Sequence, residues 1–330
     1  MKVLALTTDG KLTYCSASPE NRGKGRCNHV GHQNENETED EFVKRVSKDL
    51  IKQAIGNERD EILNLSDSEK FNMINERRNL DVLVDDKDYN IRIAVAKQGY
   101  GLEKLIDDED YGVRAAVAEQ GYGLDRLVDD ESWQVRRAVA KQGFGLDKLV
   151  NDRTWSVRKA VAKQGYGLDK LVDDRNSSVR AAVAEQGYGL DKLVDDNDWI
   201  VRRAVAEQGY GLDELVNDED PDVRVAVANK GYGLDKLIKD GEYSVRISVV
   251  NQGYGLDKLV NDRNWIVRRA VAEQGYGLDE LVNDEDADVR ATVAEQGYGL
   301  EKLINDEDEN VRIVAEQIYE STNNNITKKG

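Results

Sequence analysis

The chain gathers its metal-ligating and nucleophilic side chains in one place. Both cysteines and both histidines stand within residues 15–32, as Cys15, Cys27, His29 and His32. Two thiolates and two imidazoles can close a tetrahedral zinc shell. A metal would also help to hold a segment too small to build much of a core. The Cys27-x-His29-x-x-His32 spacing is not that of the common zinc finger. Four protein ligands would leave no open coordination position, which counts against metal catalysis. Three readings stay open: a structural Zn2+ site, polar residues scattered through a small module, and a catalytic metal or Cys/His nucleophilic pair. Beside this set lies Arg22-Gly23-Lys24-Gly25-Arg26, a short basic loop. It reads either as solvated surface or as a contact for phosphate or RNA. It lacks the Gly-x-x-x-x-Gly-Lys-Ser/Thr pattern of a phosphate loop.

A second chemistry is spread along the chain. Each tryptophan is followed four positions later by a basic residue: Trp133/Arg137, Trp155/Lys159, Trp199/Arg203 and Trp265/Arg269. Residues four apart on a helix are neighbours, and a cation over an exposed indole contributes ~0.5–1 kcal/mol. The equivalents of the tryptophan elsewhere are Tyr89, Tyr111, Ser177, Pro221, Tyr243, Ala287 and Glu309, and there the residue four on is Ile, Ala or Val. Aromatic plus Arg is the composition of binding hot spots, so these eight residues form the candidate partner-binding set. The competing reading is surface decoration copied by duplication, since Trp199 to Leu215 returns almost letter for letter at Trp265 to Leu281.

The elements that position these pairs follow from a fixed period. A Val/Ile-Arg step recurs every 22 residues at Arg92, Arg114, Arg136, Arg158, Arg180, Arg202, Arg224, Arg246, Arg268, Arg290 and Arg312. A period in this range marks a solenoid, in which no unit buries its apolar face alone. A weaker copy, Leu80 to Val84, precedes the series. In the Arg202 unit, Asp198 stands at the N-cap of a helix of about three turns. Equivalent positions hold Asp88, Asp110, Ser132, Thr154, Asn176, Asp220, Asn264, Asp286 and Asp308, with Glu242 the exception. The tryptophans are then N1 residues, a position where Pro221 is also at home. Val201, Ala204 and Val205 make the apolar stripe. Gly209 suits the left-handed position after the helix. Leu212, Leu215 and Val216 predict a second, short helix. The Val-Arg arginines lie at the edge of the stripe facing the neighbouring unit, and the Asp residues of the turns are their expected partners, with an anionic ligand as the alternative.

These residues, an Asp-x-Trp-x-Val-Arg-x-Ala-Val-Ala helix followed by Leu-x-x-Leu-Val, resemble the leucine-rich repeat variant family and, more loosely, HEAT-like repeats. The resemblance covers roughly residues 60 to 318. It implies an all-α fold, a right-handed superhelical solenoid of alternating long and short helices, and no reaction. This unit is slightly shorter than the family's usual one and carries Gly-Tyr-Gly where the family favours a proline-containing turn.

The expected organisation is a Cys/His module at 1–34, a linker and adapter helix at 35–58, the helical array at 59–320 and a disordered tail at 321–330. In the first module, Lys2 to Leu6 and Lys11 to Ser16 flank Thr8-Asp9-Gly10, which predicts a β-hairpin. Phe42, Val43, Val46, Leu50, Ile51 and Ile55 have helical spacing.

The net charge is −18. Residues 1–58 hold nine basic and nine acidic groups and the tail adds Lys328 and Lys329, so the array carries about −20. That argues against nucleic-acid binding by the array through a basic surface. No apolar run is long enough for a membrane span, and the start is too short in apolar residues for a secretory signal. Two cysteines suit a reducing cytosol, so a cytoplasmic location is expected. Degenerate units at both ends favour a monomer. The leading expectation is a non-enzymatic scaffold binding a protein or peptide through the Trp/basic face. An acidic decoy of a nucleic-acid-binding protein and a metal-dependent N-terminal enzyme with a substrate-holding array are the alternatives.

Overall fold

A computed structural model describes residues 3–7, 12–15, 29–32, 34, 36–38, 40–46 and 59–327, with side chains placed for 34, 36–38, 40–46 and 59–321. It divides into two compact units, Met1–Gly123 and Leu124–Gly330.

In the first unit, three short strands, β1 (Val3–Thr7), β2 (Leu12–Cys15) and β3 (His29–His32), form a sheet in the order β2-β1-β3. Both pairings are antiparallel, with a register shift between Leu6 and Thr7 opposite β3. The Asp-Gly turn expected between β1 and β2 lies outside the described residues. Residues 40–46 are helical, with Phe42 and Val46 buried and Val43 packed against them.

Residues 59–123 of the first unit and 124–327 of the second form repeated helical arrays. A nine-residue helix, such as Trp199–Glu207, alternates with a four-residue helix, such as Leu212–Leu215. Within each unit, long helices pack against the long helices of the next repeat, and each short helix supports the long helix that follows it. The core is one layer of small apolar residues. Val201, Val205 and Ala206 are fully buried, and Ala204, Leu215 and Val216 nearly so. Such a core draws its stability from the stacking of neighbours, because no single repeat encloses it.

The turns explain the period. The Tyr210 N–H donates to the Val205 carbonyl at 3.4 Å and the Gly209 N–H to Ala206 at 2.8 Å. This pair of bonds is the Schellman ending, which needs a left-handed residue after the helix; Gly209 has φ +78°. Gly211 is left-handed too, and a Cβ there would stand 2.5 Å from Val194 Cγ2 of the preceding repeat. The second glycine therefore serves conformation and close packing together.

Most expected caps form. Asp198 Oδ1 accepts from the Ile200 N–H at 3.0 Å. Ser132 and Thr154 sit at N-cap positions but make no side-chain cap bond. The Ser132 hydroxyl instead hydrogen-bonds Gln134 Oε1 at 2.7 Å, so the Gln side chain takes up the group that would have capped the turn.

The array begins one repeat before the first Val-Arg step. Ser66 caps the helix Asp67–Asn75 through a capping box with Glu69, and Lys70 occupies the place of the repeating arginine, 22 residues before Arg92. At the other end, the helix beginning at Glu309 runs to Thr327, into the stretch read as a tail. Tyr319 and Ser321 stand there where earlier repeats have their two glycines, so the left-handed stop is missing and the helix continues.

Candidate functional site

The most regular polar feature is structural. Arg202 forks onto Asp218 of the next repeat, Nε to Oδ2 at 2.6 Å and Nη2 to Oδ1 at 2.8 Å. Its Nη1 donates to the Asp196 backbone carbonyl at 2.8 Å. Asp218 Oδ1 also accepts the N–H of the next cap residue, Asp220, at 2.9 Å. In the second unit the same fork joins Arg136, Arg158, Arg180, Arg224, Arg246, Arg268 and Arg290 to the aspartate 16 residues on. In the first unit it joins Arg92 to Asp108, and Lys70 pairs with Asp86 at 2.8 Å with both side chains buried.

Burial alone would push the carboxyls of Asp152, Asp174, Asp196, Asp218 and Asp240 up. The arginine fork and the cap N–H outweigh it and hold them below the usual carboxylate range. The arginines are held above theirs, chiefly by the same carboxylate hydrogen bonds. These arginines are committed to the fold and do not form a row for an anionic ligand.

The aromatic face is different. All four tryptophans are N1 residues of long helices. Trp133 and Trp155 are exposed, whereas Trp199 and Trp265 are half-buried. The Arg137 guanidinium lies 5.0 Å from the Trp133 ring centre, and Arg203 lies 5.3 Å from that of Trp199. Arg269 departs from the expected pairing with Trp265: its Nε donates to Glu273 Oε1, one turn on, at 3.0 Å. Arg203 has the same option and lies 3.3 Å from Glu207. A carboxylate one turn further along thus competes for the cation that the indole would hold.

Trp133 and Trp155 stand on consecutive repeats, whereas Trp199 and Trp265 each have non-tryptophan neighbours. The structure brings the first two repeats together into a groove of about 440 Å³ lined by Arg137, Lys141, Trp155, Ser156, Lys159 and Lys163, with Ala160 and Gln164. Lys141 and Lys163 were not in the candidate set. Their signal is legible: the same position is Glu185, Glu207, Glu273 or Glu295 in other repeats of the second unit. A further row went unassigned. The central residue of the Gly-Tyr-Gly turn, from Tyr100 through Phe144 to Tyr298, is exposed in every repeat, by 40–42 %.

Of the N-terminal set, Cys27 lies outside the described residues, as do the side chains of Cys15, His29 and His32. The backbone register sets Cys15 opposite Val3, His32 opposite Ala5 and His29 opposite Thr7, so β1 runs between the strand bearing Cys15 and the strand bearing both histidines. Among the described residues no group of three or more His, Cys, Asp and Glu could hold a metal, and no helix is long and apolar enough to cross a membrane. No protein-family model matches the chain, and no curated protein sequence matches it.

Proposed function

We propose that the chain is a protein-interaction scaffold of the leucine-rich repeat variant or HEAT-like kind, acting in the cytoplasm as a monomer without catalysing a reaction. It would bind a protein or peptide through the outward N1 face. One observation carries the reading. Buried positions keep Val, Ala and Leu from repeat to repeat, while variation gathers on the outer face, where every tryptophan is paired in sequence with a basic residue four on. A stable stack with a varied exterior is how repeat proteins present extended binding surfaces. Aromatic and guanidinium groups supply the affinity at such surfaces.

The test is affinity capture with two baits: the whole chain, and a variant with Trp133, Trp155, Trp199 and Trp265 changed to Ser, the residue nature uses at Ser177. Each is washed at low and high salt. A protein held by the first bait at both salts and lost by the second supports the reading. A protein that ignores the tryptophans and leaves with salt supports the acidic decoy, which the charge of about −20 on the array favours.

Cys15, Cys27, His29 and His32 are proposed as a structural Zn2+ site. Both thiols and both imidazoles of the chain fall in this one module, and β1 spaces Cys15 and His32 only two residues apart in register. Stoichiometric zinc in the purified chain, lost on Cys27→Ser, is the expected result, and its absence from the unmodified chain would remove the site.

A further inference from the structure

We propose that the groove between the Trp133–Lys141 and Trp155–Lys163 helices holds an extended acidic peptide segment. This rests on the reading that the outward face binds protein, and it names the chemistry of the partner.

The groove is a cationic patch in an acidic molecule. Its lining carries Arg137, Lys141, Lys159 and Lys163 and no carboxylate, whereas the chain as a whole has net charge −18. The next repeat reverses the pattern, with Ala181 and Glu185 at the equivalent positions. Glu185 stands one repeat beyond Lys163. It pairs with Lys163 at 3.3 Å, and both groups are about half exposed, so the pair is easily exchanged. Arg137 is held over the Trp133 ring, which orders its guanidinium without neutralising it.

The spacing favours an extended chain. Arg137 and Lys141, and likewise Lys159 and Lys163, are one helical turn apart, about 6 Å along the axis. Alternate residues of an extended strand project to the same side every ~6.6–6.8 Å. Carboxylates on every second residue therefore keep step with a cation row. Helices at packing distance, ~8–10 Å apart, set two such rows side by side. Trp155, one turn before Lys159 in its row, adds an apolar plate to the lining for an aromatic or aliphatic side chain. The Ser156 hydroxyl is shielded beneath the same lining and has no hydrogen-bond partner among the described residues. A single phosphate is too small to span both rows. A nucleic acid extends beyond the patch and meets the acidic remainder of the array, where each further phosphate is repelled; a short peptide keeps its charge within the patch.

The test uses the full chain and calorimetric titration with an acetylated Glu-Leu-Glu-Tyr-Glu peptide. The expected result is saturable one-site binding that weakens with salt and is abolished when the glutamates are replaced by glutamine. Lys141→Glu with Lys163→Glu installs the residue that other repeats already carry, so the helices are retained, checked by circular dichroism. This variant should bind about tenfold or more weakly, two reversed charges each removing a screened pair. Lys141→Arg with Lys163→Arg should restore binding, and Lys192→Ala, which removes an exposed cation outside the groove, should leave it unchanged. Equal binding of the glutamine peptide, or of the charge-reversed chain, overturns the inference. So does tighter binding of inorganic phosphate or a single-stranded oligonucleotide. Capture with the charge-reversed chain separates the two levels. A protein lost by the four-tryptophan variant but kept by the charge-reversed chain sinks the acidic-peptide inference and leaves the scaffold standing. A protein kept by the four-tryptophan variant removes the scaffold face itself.

Discussion

Replacing Arg202 by Met tests whether the repeats are held by buried charge. Arg202 and Asp218 are 10 % and 5 % exposed, and the substitution removes three hydrogen bonds at 2.6, 2.8 and 2.8 Å. It leaves the Asp218 carboxylate shielded, with the Asp220 N–H as its remaining bond. Removing one partner of a buried pair costs about 3–5 kcal/mol. Asp218→Asn keeps an acceptor for that N–H and loses the charge, at about 1.5–3 kcal/mol. The double variant should be cheaper than the sum by about 1–3 kcal/mol, because its second change removes an already orphaned charge. Lys192→Ala is the control: its partner Asp173 is exposed and so is Lys192, and the loss should stay below about 1 kcal/mol.

Urea unfolding followed by far-ultraviolet circular dichroism measures all four. In Arg202→Met the transition should also broaden or divide, since a weakened internal interface uncouples the repeats on either side. The pH dependence has a definite sign. The folded Asp218 carboxyl is held below its ordinary value, so its contribution is complete above the unfolded value of about 3.9 and is lost as pH falls through the lower folded value. The advantage of the unmodified chain over Asp218→Asn should therefore shrink below about pH 4. An Arg202→Met cost no larger than that of Lys192→Ala, with additive effects in the double variant, would refute the reasoning.

Gly211→Ala and Gly209→Ala separate strain from crowding. Both glycines are left-handed, but only at Gly211 does the added Cβ meet a side chain, Val194 Cγ2 at 2.5 Å, while Gly209 has nothing within 4 Å. Gly209→Ala should cost about 1–2 kcal/mol and Gly211→Ala clearly more in the same unfolding assay. Glu242 is an N-cap without a side-chain cap bond; Glu242→Asp should stabilise by about 0.5–1 kcal/mol, read as a rise in melting temperature. Lys70→Ala leaves Asp86 buried without its ion-pair partner and should cost about 3–5 kcal/mol, with amide exchange accelerating first in the Asp67–Asn75 helix.

The repeat was legible because its signals agree at nearly every copy. The Val/Ile-Arg step recurs eleven times in register, and the cap residue and the paired glycines ten times each. Of the opening repeat, Leu80 to Val84 was legible as a weaker copy, but its long helix Asp67–Asn75 was not, because Lys70 replaces the arginine and no Gly-Tyr-Gly follows it. Ser132 and Thr154 were indistinguishable by type from residues that cap, since the rotamer that turns Ser132 to Gln134 leaves no trace in the pattern. The outward tryptophans followed from the 100° step of a helix. The direction of Arg269 did not, because Trp265 and Glu273 stand equally near it, one turn to either side. The groove was hidden for a simpler reason. It depends on two adjacent helices sharing the same unusual residues, and reading one helix at a time does not show it.

The arginine forks of Arg92 in the first unit and of Arg136 to Arg290 in the second point one way. Each reaches forward to the aspartate of the following repeat, so the array has a head and a tail. Asp86 at the head is met by Lys70. Arg312 at the tail bonds backbone carbonyls through Nη1, at 2.7 Å and 3.0 Å, and has no carboxylate for its fork among the described residues. Cutting the chain in a Gly-Tyr-Gly turn of the second unit would expose an open guanidinium fork on one fragment and its matching carboxylate on the other. Within the second unit the junctions from Arg136 to Arg290 are thus plugs and sockets of the same pattern. The fragments carry their own instructions for rejoining in order, and equally for joining the wrong fragment, because nothing in the fork distinguishes one repeat from the next.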